Sequence, residues 1–444
     1  TGLLSDLRTA QSSGWVNQFL QEYQLNTSEG VALLSLAEAF LRVPDPETAD
    51  ALIADKLGDA DWRAHAGKSA SGLVNAGTWG LVIGRALVSE RETAGTLRRL
   101  VARAGEPFVR QAVGAAMKMM GEIFVMGRTI DEATKRMTKP ENKGFAASFD
   151  MLGEGARTAG DAQRYLQSYS DAIAAIGKAA GNSKLPERPG ISVKLSALHP
   201  RYDALSQERV MRELVPRVIE LARQAKSHDL NFTVDAEECD RLELSLDVIA
   251  AVVADPELAG WDGFGLAIQA YHKRASAVID WIAGLARHHD RRFMVRLVKG
   301  AYWDTEVKRA QERGLEGYPV FTRKAMSDLN YEACARQLLA LRPLIYPQFA
   351  THNALTVAAI IAAANGPEGY EFQRLHGMGE GVYREVLKNP LLPTAVTFDV
   401  LIDAWNEGRL GRYLLNSFVV AFAVTGLLRF FCTRRQLPEN YRGA

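Results

Sequence analysis

Cysteine is scarce in this chain: Cys239, Cys334 and Cys432 are the only three in 444 residues. They stand far apart and outside any metal-binding spacing, which excludes a disulfide framework and a zinc site and indicates a reducing compartment. The eight histidines contain no His-x-x-x-His or Glu-x-x-His pair, so no metal is expected, and His288-His289 reads as a solvated helix end. An excess of charge of one sign is also missing. Basic and acidic residues are interspersed and the formal net charge is +1, so no footprint for nucleic acid is visible and no such partner is expected. No signal peptide is expected at the start, where the residues are mixed and polar. No Gly-x-Gly-x-x-Gly follows a strand in a βαβ unit, which excludes the two-domain dinucleotide fold. No apolar run reaches the roughly 20 residues of a membrane span. Leu414 to Phe431 comes nearest, but Asn416, Ser417, Thr425 and Arg429 interrupt it, and it is read as a buried helix.

What is present is a series of short apolar strands, each closing on polar residues. Phe293, Val295 and Leu297 lead into Arg296-Leu-Val-Lys299-Gly-Ala-Tyr302-Trp303-Asp304, a turn carrying cations, a glycine and aromatics, which reads as a binding edge. Similar strands end at Lys194, at Asp235, at Gln269, at His352 and Asn353, and at Gln373 and His376. Between them lie segments with apolar residues at helical spacing, such as Val210, Leu214, Val218 and Leu221. Strand alternating with helix predicts an α/β protein with a parallel sheet, and this many repeats predict a distorted, TIM-like (β/α)8 barrel. All these strand ends would then converge on one mouth. Gly144 to Asp150 is the expected first strand and Thr394 to Leu401 the expected eighth.

A barrel of about 250 residues leaves well over a hundred for something else. Residues 1–140 show helical periodicity, with Val31, Leu34, Ala37, Phe40 and Leu41 on one face after a capping-box-like Asn26-Thr-Ser-Glu29. A helical arm over 1–140, packed on a barrel over 141–444, is expected. The absence of a long low-complexity linker favours packing over free swinging.

Arg, Lys, Gln and Asn beside aromatic rings, without metal ligands, suit a large cofactor with anionic groups and a flat heterocycle. A flavin dinucleotide fits. His376-Gly-Met-Gly379-Glu-Gly381 is either a phosphate-receiving turn before a helix or a plain tight turn. Other readings of the mouth are a Schiff-base lyase or aldolase using Lys194 or Lys299, and a flavin-binding barrel without a competent substrate pocket.

Several long motifs resemble one family. Lys194-Leu-Ser-Ala-Leu-His-Pro-Arg201-Tyr202, Asp235-Ala-Glu-Glu238, Arg296 to Asp304, Gly317 to Lys324, Ala350-Thr-His-Asn353 and Leu375 to Glu380 are similar, in order, to the proline dehydrogenase domain of the bacterial bifunctional proline utilization A flavoenzymes. The likeness extends over roughly residues 1–388. It implies FAD as cofactor, oxidation of L-proline to Δ1-pyrroline-5-carboxylate, delivery of electrons to a membrane quinone, and a cytoplasmic protein that meets the inner membrane peripherally. By matched position it implies that Gln269, Arg296, Val298, Lys299, Gly300, Ala301, Tyr302, Trp303, Thr322, Arg323, Lys324, Thr351, His352, Asn353, Gln373 and Leu375 bind the cofactor. Lys194, Asp235 and Tyr302 would border the substrate and, with Arg296, act in catalysis. Neither the DNA-binding region of some members nor the aldehyde dehydrogenase module is expected, so the chain reads as a fragment carrying only the first reaction.

The chain departs from the family from about residue 389. The strand motif after Gly-Met-Gly-Glu is missing. The nearest counterpart of the arginine helix is Thr433-Arg434-Arg435-Gln-Leu-Pro438-Glu439-Asn440, where Glu439 falls one residue late and Pro438 breaks a helix. Arg434, Arg435 and Glu439 are thus either the carboxylate clamp or a basic flank.

Overall fold

The computed structural model describes residues 125–151, 153–388 and 396–402. A short strand, Val125–Gly127 (β1), precedes helix Ile130–Met137 (α1), which Thr129 caps by accepting from the Glu132 N–H. Strand Phe145–Met151 (β2) follows, then helix Ala159–Ala179 (α2). Thr158 and Asp161 form a reciprocal capping box at the start of α2. The chain continues through Gly190–Val193 (β3), the single turn Leu195–Leu198 (α3), Gln207–Ser227 (α4), Asn231–Val234 (β4), Leu242–Val253 (α5), Phe264–Gln269 (β5) and Ala275–His288 (α6). Phe293–Val298 (β6), Trp303–Glu312 (α7), Lys324–Ala340 (α8), Ile345–Ala350 (β7), Ala354–Ala364 (α9), Glu371–Leu375 (β8), Glu380–Lys388 (α10) and Val396–Ile402 (β9) follow among the described residues.

All strand pairings are parallel, and β2 to β8 pair in sequence order. β9 pairs with both β8 and β2, so eight strands close a barrel in the way the sequence implies. β1 adds to β9 outside this ring. It falls within the segment read as helical, where three residues are too short to show alternation. Residues 1–124, and with them most of the expected arm, lie outside the described residues, as does the apolar stretch from Leu414.

The alternation along each strand divides two environments. Outward residues such as Ile191, Phe232, Phe264, Phe293, Val295, Phe349 and Phe372 are fully buried under the helices. Phe264 lies between Phe232 and Phe293, with ring centroids 5.9 and 6.1 Å away. Truncating one such ring to alanine removes about 3–5 kcal/mol. The helices supply the other side of this layer: Val210, Leu214, Val218, Leu221 and Ala225 bury the inner stripe of α4. Inward positions are mostly polar or small, with Met294 below Arg296 an apolar exception. Register places Arg296 beside Ala267 on one neighbouring strand and Gln348 on the other, and the alanine leaves room for the guanidinium.

Candidate active site

Four side chains from β2 to β6 alternate in charge at the carboxyl ends of the strands. The Lys194 ammonium donates to Asp150 Oδ1 and Oδ2 at 2.9 and 3.0 Å and to Asp235 Oδ2 at 2.9 Å. Asp235 Oδ1 in turn accepts from Arg296 Nη1 at 3.3 Å. The remaining Arg296 donors are also engaged. Nη1 donates to Ser192 Oγ at 2.8 Å, Nη2 to Ser148 Oγ at 2.8 Å, and Nε to Gln373 Oε1 at 2.6 Å. Arg296 is only 3% exposed, so its charge depends on these acceptors. Burial works against the Lys194 ammonium, but Asp235 and Asp150 outweigh it and hold the lysine well above its ordinary range.

The turn after β6 leans on β5. Gln269 donates to the Glu237 carbonyl at 2.8 Å and accepts from the Ala301 N–H at 3.2 Å, so one buried amide ties two loops of the mouth together. Gly300 has φ +136°, and a Cβ there would meet the Tyr271 ring 2.2 Å away, so only glycine fits. Tyr302 donates to Glu154 Oε2 at 3.1 Å, and burial together with that carboxylate pushes its phenol up. Trp303 donates to the Phe321 carbonyl at 2.9 Å and remains 40% exposed.

A second group flanks the mouth at the start of α8. Lys299 and Lys324 both pair with Asp328, and these two bonds hold that carboxyl below its usual range. Thr322, Arg323 and Lys324 stand exposed in a row beside them. On the β7 side Asn353 caps α9 by accepting from the Leu355 and Thr356 N–H groups, and Thr351 is buried. Burial, then Arg374, pushes the His352 imidazole down, and its neutral Nε2 accepts from the Leu375 N–H at 2.9 Å. Leu375 itself is 36% exposed. The turn containing Gly377 and Gly379, both at positive φ, leads directly into α10.

The residues expected at the mouth therefore fall into a charged centre of Lys194, Asp235, Arg296 and Gln373, a loop edge from Val298 to Trp303, and a cationic flank. Arg434, Arg435 and Glu439 lie outside the described residues. Several members were not picked out from sequence. Asp150 ends its strand on a carboxylate as Asp235 does, so the same signal was available. Ser148 and Ser192 carry no mark of their own. Glu237, 8% exposed, accepts from the Ser196 N–H and from Arg241, while burial raises its pKa. Glu371 and Asp328 meet their partners only through the fold. Among the described residues no group of His, Cys, Asp and Glu could hold a metal ion.

An FAD-sized group finds a compatible donor set here. Exposed Trp303 and Leu375 offer faces that a flat ring would cover, and the Lys299, Arg323 and Lys324 cations lie to one side, as a diphosphate requires.

Comparison with known proteins bears on the same residues. Residues 133–402 match the profile of a family described as "Proline dehydrogenase". Residues 15–124 match "DNA-binding domain of Proline dehydrogenase", which corrects the expectation that no region of that kind is present. The net charge gave no sign of it, because the acidic residues up to Asp61 offset the basic ones that predominate after it. "Bifunctional protein PutA" of Klebsiella aerogenes is 54% identical over 391 residues, 86% of this chain and 30% of that protein. "Proline dehydrogenase 1" of Bacillus subtilis is 28% identical over 270 residues, 60% of this chain and 77% of that one. An aspartate-to-tyrosine variant of proline utilization A from Bradyrhizobium japonicum superposes with a TM-score of 0.67 at 58% identity, covering 90% of this chain and 40% of that one. The chain thus spans about a third of the length of the bifunctional relatives it matches. With a match across 133–402 that takes in the charged centre, the loop edge and the cationic flank, the chain belongs to the proline dehydrogenase family.

Proposed function

We propose that this chain oxidises L-proline to Δ1-pyrroline-5-carboxylate with FAD as hydride acceptor, on the cytoplasmic side, and passes the electrons to a quinone in the inner membrane. The observation that carries the reading is the Asp150–Lys194–Asp235–Arg296 chain, a fully bonded charge alternation at the mouth of a barrel beside uncovered aromatic and aliphatic faces. Gln269, Arg296, Gln373 and the edge from Val298 to Trp303 would hold the flavin ring. Thr322, Arg323, Lys324, Thr351, His352, Asn353 and Leu375 would hold the rest of the cofactor. When bound, FAD supplies a two-electron acceptor for a hydride.

Lys194, Asp235 and Tyr302 border the substrate in this reading. Proline loses a hydride from the ring carbon beside its nitrogen and a proton from the nitrogen, and the C–N bond becomes C=N. The nitrogen must first shed the extra proton it carries in water. Lys194, held as an ammonium by two aspartates, opposes a second positive charge nearby and favours the neutral amine. Arg434 and Arg435, assisted by Glu439, would clamp the carboxylate.

The Schiff-base alternative needs an unprotonated lysine. Lys194 is driven the other way, and Lys299 is paired with Asp328, so neither is a primed nucleophile. A visible absorption spectrum before and after adding proline without oxygen tests the proposal. The flavin band should be present and should bleach. A colourless protein, or a yellow one that proline leaves unchanged, would overturn it.

A further inference from the structure

Glu371 sits one turn of the strand pleat below Gln373 on β8 and is 1% exposed. Its Oε1 accepts two amide N–H groups, from Gln348 at 3.0 Å and from Gln373 at 2.8 Å. An unprotonated carboxyl oxygen can only accept, so Oε1 decides which end of each amide turns towards it. With Nε2 of Gln373 drawn to Glu371, Oε1 faces the opposite way, where it accepts from Arg296 Nε. Gln348 shows the strength of this ordering: its Nε2 is given to Glu371 although its own buried Oε1 is left without a hydrogen-bond partner. A flip of Gln373 would instead set an amide donor against a guanidinium donor.

We propose that Glu371 is a positioning residue for Arg296, acting through Gln373. Held at Nε from β8, the guanidinium presents Nη1 and Nη2 to β2, β3 and Asp235 in one fixed plane. Glu371 acts here only through its bond to Gln373. The inference rests on the proposed role of Arg296 beside the flavin, but the lock on the guanidinium exists without the cofactor and is measurable without it.

The test uses Glu371→Gln, whose amide can offer either end, and Gln373→Met, which deletes the relay from the Arg296 side. Hydrogen exchange at the Arg296 Nε–H, followed by NMR in 15N-arginine-labelled cofactor-free protein and assigned with Arg296→Lys, reads the lock directly. Exchange about tenfold faster is expected in both variants, because one net hydrogen bond is lost in each. In the FAD-loaded enzyme kcat for proline should fall about tenfold with KM within about twofold, and the flavin midpoint potential should shift. If Glu371→Gln does not fold, Glu371→Met, which removes the acceptor at similar volume and leaves Gln373 in place, reads the same coupling. Unchanged exchange in the folded variants overturns the proposal. So does faster exchange with unchanged potential and kcat, which would leave Glu371 as scaffolding alone. A wild-type protein that proline does not reduce sinks the proline reading, while the exchange rates still decide the lock.

Discussion

Replacing Lys194 with methionine removes the central cation of the charged chain and keeps most of its apolar stem. Asp150 then loses its ammonium and Asp235 retains only Arg296, at 3.3 Å. Stranding a fully buried charge costs about 3–5 kcal/mol. The three side chains involved are 14–16% exposed, so water at the mouth screens part of this and a loss of about 2–3 kcal/mol is expected. Lys194 has a raised pKa, so its contribution is in place below the ordinary lysine value of 10.5 and fades only as pH climbs through the higher folded value. The difference from wild type should accordingly be flat between about pH 6 and about pH 9. Urea unfolding of cofactor-free protein measures it. A proline-like ring carboxylate that cannot be oxidised should bind roughly 10- to 150-fold more weakly, as expected for one lost charged hydrogen bond of ~1.5–3 kcal/mol, with FAD affinity nearly unchanged. Equal losses for FAD and the carboxylate, or a stability loss with no change in carboxylate binding, would show that Lys194 only holds the barrel together.

Gly300→Ala adds a clash with Tyr271 to a backbone that L-residues avoid, and should lower stability by about 1–3 kcal/mol and reduce the flavin retained on purification. Burial, with Arg274 adding, holds the His272 imidazole down to about 4 from 6.5. A depressed folded pKa gives stability that is whole above 6.5 and lost as pH falls towards 4, a difference of 6.5 − 4 or about 3 kcal/mol at most. In His272→Phe the change in urea midpoint between about pH 7 and about pH 5 should shrink; an unchanged slope refutes this. Burial and Glu306 push the Cys239 thiol up to about 12, so alkylation near neutral pH should be slow in a Cys432→Ser background, and Glu306→Gln should speed it. Equal rates would remove Glu306 from that account.

Strand and helix periodicity made the barrel legible because parallel strands buried on both faces read as short apolar runs, and their polar last residues mark the mouth. Lys194, Asp235, Arg296 and Gln373 were found by that rule and are joined by hydrogen bonds or ion pairs. Asp150 obeys the same rule but stood on a strand used only for counting. Ser148 and Ser192 were out of reach: a serine in a strand looks the same whether it faces a guanidinium or a helix. Asp328 binds Lys299 from a helix 29 residues later, a separation that no local pattern encodes. β1 was lost to its length, and Glu371 to the usual assumption that a glutamate at a strand start is solvated.

The closing strand β9 comes last among the described strands, yet the pairing with its partner β2 spans some 250 residues, from Phe145 to Val396. During synthesis at roughly 5–20 residues per second, β2 and β8 would each carry an unsatisfied edge, and β2 would wait about 13–50 s for its neighbour. Over that interval the growing sheet is an open template for other strands. A ribosome-bound chain stopped before Val396 should therefore be the aggregation-prone species, and chaperone dependence should fall sharply once β9 has emerged.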